Sequence, residues 1–139
     1  MEYVIKNDKA IIRLDKGDEI GASLLKFAEN ENVGCGSISG IGATDDLLLG
    51  VYDLDQKQYV KRELKGNREI LSLCGNFSKM NDKPYLHLHI TTQGKEDYAI
   101  GGHLLKCVIS MTSEIFVDIY DVNLTRELDP SVGINTFKF

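Results

Sequence analysis

The chain opens on two short apolar runs, Tyr3-Val4-Ile5 and Ala10-Ile11-Ile12-Arg13-Leu14, separated by the turn-forming pair Asn7-Asp8. Two strands are predicted there. A longer period follows: Ile20, Leu24, Phe27 and Ala28 recur at helical spacing, with Asp18 and Glu19 ahead of them and Val33-Gly34 behind. That spacing predicts an amphipathic helix over residues 17–30. From residue 33 onward the apolar positions alternate or form short blocks, which predicts strands at 33–40, 47–52, 57–63, 69–77, 85–92, 98–110, 114–121 and 123–127. Gly40-Ile41-Gly42, Asp53-Leu54-Asp55, Gly66-Asn67, Asn81-Asp82-Lys83-Pro84 and Gly94-Lys95 supply the turn signals between them. One main helix and about eight strands make the expected class α+β, a strongly curved, mostly antiparallel sheet with the helix laid on it. No repeat or linker divides residues 1–139, so a single domain is expected.

Composition narrows the environment. A folded monomer of 15.5 kDa should expose roughly 7,200 Å², about a third of its unfolded surface, so a core can form without disulfides. Cys35, Cys74 and Cys107 are odd in number and widely spaced, which predicts reduced, buried thiols rather than a framework or a thiolate zinc site. No apolar run approaches the ~18 residues of a membrane span, and Glu2 and Lys6 interrupt any secretory core, so a cytoplasmic location is expected.

Charge argues against a polyanion as direct partner. The formal net charge is −5. Residues 57–68 hold Lys57, Lys61, Arg62, Lys65 and Arg68 against Glu63 alone, a local +4 that leaves −9 for the remainder. One basic stripe on an acidic body can neutralise few phosphates, so direct nucleic-acid binding is expected to be weak or absent.

Three segments invite chemistry. Residues 34–42 are rich in glycine, yet they lack a following Gly-Lys-Ser/Thr and never satisfy GxGxxG, so bulges or bends are the expected use. Ser72, Ser110 and Ser113 are candidate hydroxyls without a GxSxG elbow. The histidines are different, because all three lie within 17 residues. Strand alternation puts Leu86, Leu88 and Ile90 on one face and His87 and His89 on the other. If Gln93 and Asp97 close a hairpin, paired residue numbers sum to 190, which sets His87 opposite His103 and His89 opposite Gly101. Three converging neutral imidazoles with a fourth position open suit a divalent transition metal, zinc first. Glu69, Glu114 and Asp118 are candidate carboxylate partners, which the sequence does not rank.

Leu86-His87-Leu88-His89 followed by Gly101-Gly102-His103-Leu104 resembles the plants-and-prokaryotes conserved (PPC) domain. The likeness extends through Arg13-Leu14, Gly17-Asp18-Glu19, residues 39–43, Gly66 with residues 69–73, Gly75-Asn76, Arg126 and Gly133. The resemblance implies a compact α+β domain, assembly as a homotrimer, and a metal at the histidine cluster, usually taken as zinc. Plant members add AT-hooks, Arg-Gly-Arg arms for the minor groove; this chain contains no Arg-Gly-Arg. The plant partner-contact motif Gly-Arg-Phe-Glu-Ile-Leu stands here as Gly66-Asn67-Arg68-Glu69-Ile70-Leu71, two positions different. A homotrimeric regulatory or assembly domain is therefore expected, with the metal as a structural or sensing element. The alternative is a small zinc-dependent enzyme acting on a small molecule at His87, His89 and His103. Direct DNA binding by the 57–68 stripe is a third reading.

Overall fold

The computed structural model describes residues 1–96 and 98–139. Its strands are β1 (Glu2–Lys6), β2 (Lys9–Asp15), β3 (Gly36–Asp53), β4 (Gln58–Met80), β5 (Lys83–Gln93), β6 (Ile100–Ile119), β7 (Thr125–Asp129) and β8 (Ile134–Lys138), with one helix, α1 (Ile20–Asn30). The α+β expectation holds. Strand order along the sheet is β1-β2-β6-β3-β4-β7-β8, and β5 pairs with both β4 and β6. Strands β3, β4, β5 and β6 therefore pair in a closed cycle, which explains the strong curvature.

Three long strands replace six shorter predicted ones. The expected breaks at Gly40-Ile41-Gly42 and Gly66-Asn67 lie inside β3 and β4. At Gly40/Gly42 the pairing shifts register without the chain reversing, as a bulge does. The strands predicted at 98–110 and 114–121 likewise merge into β6. Strand β8 has no counterpart among the predicted strands, because Ile134-Asn135-Thr136-Phe137-Lys138 is short and half polar.

Helix α1 starts at Ile20 because Glu19 caps it: Glu19 Oε2 accepts from the Ala22 amide at 2.7 Å. Its other oxygen accepts from the Cys107 amide at 3.0 Å, which ties the helix start to β6. Ile20, Leu24, Phe27 and Ala28 are buried, joining Leu47, Leu73, Phe77, Leu88, Ile90, Cys107 and Ile109 in one core. The predicted spacing thus marks the buried stripe correctly. Cys35 and Cys107 are buried free thiols as expected, but Cys74 is exposed. The reason is local: Leu73 points inward, so its neighbour must point out. No helix among the described residues is long and apolar enough to cross a membrane.

The candidate three-histidine site

Two strands and one bulge bring the histidines together. On β5, Leu88 and Ile90 are buried while His87 and His89 stand on the opposite, outer face. On β6, Cys107 and Ile109 are buried, so strict alternation would bury His103 too. It does not, because the β3–β6 pairing slips between Leu48/Leu49: Leu48 pairs with Lys106 but Leu49 with Leu104. The extra residue, Leu105, reverses the facing of everything before it, and His103 turns outward.

The predicted register needs correction. His89, not His87, is paired with His103, and Thr91 stands opposite Gly101, so paired numbers sum to 192. Pairing ends at Thr92–Ile100, and Asp97, named as a hairpin-closing residue, lies outside the described residues. The longer connection has a physical cause. Buried Arg68 donates to Thr92 Oγ1 at 3.0 Å and to Glu96, pinning the residues after β5 to β4. A shift of two preserves facing where a shift of one would have reversed it, so the convergence survives. Imidazole centroids are 5.1 Å apart for His87–His89, 5.2 Å for His87–His103 and 5.5 Å for His89–His103.

One candidate ligand atom from each ring lies within 4.8 Å of the other two. Tetrahedral Zn–N bonds of ~2.0–2.1 Å need nitrogens about 3.4 Å apart, so the rings would draw together around an ion. The chemistry of the donors fits a metal on a further observation: His103 Nδ1 is buried and has no hydrogen-bond partner. An unpaired buried nitrogen is costly unless something accepts its lone pair. Burial pushes the His103 pKa down to about 4, with His87 and His89 adding to the effect. Burial also holds His87 below the ordinary imidazole range, helped by His89 and Arg126. Both rings are therefore neutral near pH 7, the form that ligates.

Residues that the sequence did not mark shape the surroundings. Gly50 is paired with His103, and a Cβ there would come within 2.7 Å of Tyr59 Cδ1. That missing side chain lets Tyr59 stack on His103, centroids 4.7 Å apart at 22°. Gly75 does the same for β5, since a Cβ on it would lie 2.0 Å from the His87 carbonyl oxygen. Ile134 of β8 reaches the site because Tyr52 donates its hydroxyl to the Val132 carbonyl at 2.9 Å. Arg126 anchors the same hairpin, donating to Ser78 Oγ, the Asn135 carbonyl and Asn76 Oδ1 at 2.8–2.9 Å, between the Tyr85 and Phe137 rings.

A cavity of about 340 Å³ opens beside the histidines, lined by Gly50, Val51, Tyr52, Tyr59, Gly102 and Ile134 together with the three imidazoles. A smaller one of about 220 Å³ adjoins His87 and His89 on the side of Cys74, Gly75 and Asn76. Among the described residues no cysteine or carboxylate joins the three-histidine group. The carboxylates considered as partners are elsewhere: Glu69 and Glu114 border apolar grooves, and Asp118 pairs with Lys9 at 2.5 Å. Two of the five cations in the basic stripe are already engaged, Arg68 buried against Glu96 and Lys65 paired with Asp46 and Glu63.

Fold and site together define a small curved-sheet protein with an outward-facing imidazole cluster on the seam that closes its strand cycle. The model of the Plants and Prokaryotes Conserved (PCC) domain matches residues 1–121, and the chain belongs to that family. It is similar over 99% of its length, at 33% identity and TM-score 0.96, to a Bacteroides thetaiotaomicron protein given a provisional DNA-binding label, of which 96% is covered. A Ralstonia eutropha protein with the same provisional label is 28% identical, TM-score 0.92, coverage 99% and 95%. An Archaeoglobus fulgidus protein described as metal-containing is 30% identical, TM-score 0.87, coverage 99% and 97%. No curated protein matches the chain. The hairpin β7–β8 falls beyond the family match, yet Ile134 lines the larger cavity.

Proposed function

We propose that this chain is a metal-binding regulatory domain that assembles as a homotrimer and engages a small molecule at the open side of a divalent metal, zinc first, held by His87, His89 and His103. The observation that carries the reading is the buried, unpartnered His103 Nδ1 in a group of three imidazoles that faces an apolar cavity. A structural zinc site is closed by a fourth protein ligand, whereas a working site keeps a position open. The metal-containing Archaeoglobus relative supports the same donor role here. Metal analysis of tag-free protein, with zinc calorimetry at pH 7.5, tests it: one metal per chain is expected, and no uptake overturns it.

Assembly has its own support. The chain exposes 8197 Å², about 1,000 Å² more than a monomer of its mass should. Part of the excess is apolar and contiguous: Ile41 and Leu71 are shared by two adjoining grooves of about 420 and 370 Å³, which Met111 and Phe116 extend. Exposed patches of this kind mark interfaces. Glu69 and Glu114 on their borders disfavour nucleic acid as the occupant, and the resemblance to PPC domains points to further copies of the chain. Light scattering should give about three times the 15.5 kDa chain mass; a monomer at micromolar concentration overturns this.

The second reading, a small zinc-dependent enzyme, draws on the same open position, where a metal lowers the pKa of bound water. Among the described residues lining the two cavities there is no Asp or Glu to serve as general base, so binding is the reading we favour. Direct DNA binding should be weak and lost by ~150 mM salt. Sub-micromolar binding at that salt, abolished by Lys61→Glu with Arg62→Glu, overturns this expectation.

A further inference from the structure

We infer that the ligand taken at this site is a small organic anion with an apolar body, a carboxylate whose oxygen completes the metal's coordination while its hydrocarbon part fills the cavity walled by Val51, Tyr59 and Ile134. The inference rests on the three-histidine metal reading. Its first support is charge. Three neutral imidazoles leave a divalent ion with its full +2, and no described residue of either cavity lining is acidic. The open coordination position is where negative charge is still lacking, so an anionic ligand is favoured there over a neutral or cationic one. Charged groups of both signs stand further out, Asp129 being paired with Ile134 on the β7–β8 hairpin. Arg126 donates to Asn76 of the smaller cavity at 2.9 Å, Lys61 is paired with Gly50, and the Lys57 ammonium is held by the Pro130 carbonyl at 3.0 Å.

Shape and polarity supply the second support. A volume of about 340 Å³ equals roughly eleven waters at ~30 Å³ each, room for a ring or short branched chain beside the imidazoles. Away from the imidazoles the walls are Val51, the Tyr52 and Tyr59 rings, Ile134 and two glycines. Such walls reward apolar contact. A bare inorganic anion would meet the metal but leave these walls in water, and an organic cation would meet the metal's repulsion.

Tag-free protein loaded with Co²⁺ separates the possibilities, because the visible d–d bands report coordination and calorimetry reports affinity. Benzoate, acetate and benzylammonium serve as probes. Benzoate should shift the d–d bands and bind at least tenfold more tightly than acetate, while benzylammonium leaves the bands unmoved. Ile134→Ser and Val51→Ser should each weaken benzoate three- to tenfold, with acetate affinity and Co²⁺ uptake unchanged. Val51 is 66% exposed, so its variant keeps the fold in reserve. Benzoate no tighter than acetate, benzylammonium equal to benzoate, or undiminished benzoate binding to metal-free protein would each overturn the inference. Failure of Co²⁺ uptake would instead overturn the metal reading on which it rests.

Discussion

Two outer regions of this sheet are left unfinished in opposite ways. Around His87, His89 and His103, polar nitrogens converge among apolar walls, and one of them is buried without a partner. Along Ile41, Leu71, Met111 and Phe116, large apolar side chains lie in water, 47–70% exposed, with glutamates at their border. The first deficit is one of pairing: a buried ring nitrogen lacks a partner, which a cation can supply. The second is one of surface, and only another apolar face removes it. A fold can tolerate both because each deficit is small beside the core, and each points to the kind of partner that would complete it.

The sharpest break between the two regions comes from the histidines. His103→Ala and His87→Ala should each lower zinc affinity at least ~100-fold, beyond the 10–100-fold that changing a ligand's supporting residue costs, as read by calorimetry. Oligomeric mass should not change. The metal-free His103→Ala protein loses the stacking on Tyr59 but also an unsatisfied buried nitrogen, so thermal unfolding should show only a small change, within about 1 kcal/mol.

The reciprocal break is Met111→Glu with Phe116→Glu. Light scattering should fall from about three chain masses to one, while zinc stoichiometry stays at one per chain, because charge buried in an apolar interface is strongly disfavoured. Retained trimers would move the interface elsewhere on the sheet.

Gly50→Ala acts on the imidazole side alone. The added Cβ would meet Tyr59 Cδ1 at 2.7 Å, and relieving that contact should cost about 1–3 kcal/mol of stability and disturb the ring stacked on His103. Thermal unfolding and zinc calorimetry should both register it.

The smallest expected effect is acid sensitivity. His103 is depressed to about 4 by burial and by its neighbouring imidazoles, against an unfolded value near 6.5. Between these values the unfolded chain binds more protons, so the stabilising contribution is full above pH ~6.5 and is lost as pH falls toward 4. Metal-free His103→Ala should show a flatter stability profile across that window. Lower still, Glu96 contributes: its bond to Arg68 holds its carboxyl below the usual range, so its contribution is present above pH ~4.5 and is lost as pH falls through the lowered value. Glu96→Gln should flatten only that acid end.

Much of both regions was legible along the chain. The alternation of 85–92 sets Leu88 and Ile90 against His87 and His89, and that of 114–121 sets Phe116 against Ile115 and Val117, because facing within a strand depends only on neighbours in sequence. The His103 position was not legible in that way. Its facing depends on the slip at Leu48/Leu49, and a bulge is defined only against the partner strand. The same holds for Tyr59 and Ile134, which reach the histidines through Gly50 and through the Tyr52 hydroxyl, contacts spanning many residues.

Local periodicity and residue identities alone were enough for the class of fold, the helix stripe of Ile20, Leu24, Phe27 and Ala28, the outward pair on β5 and the family resemblance. Neighbouring strands are what turn predicted breaks into bulges, make paired numbers sum to 192 rather than 190, and leave Glu69, Glu114 and Asp118 away from the imidazoles. The physical reason is that backbone geometry repeats every two residues in a strand whatever its surroundings. Register, bulges and burial are instead settled by the strands on either side, here a closed cycle in which β5 must satisfy β4 and β6 at once.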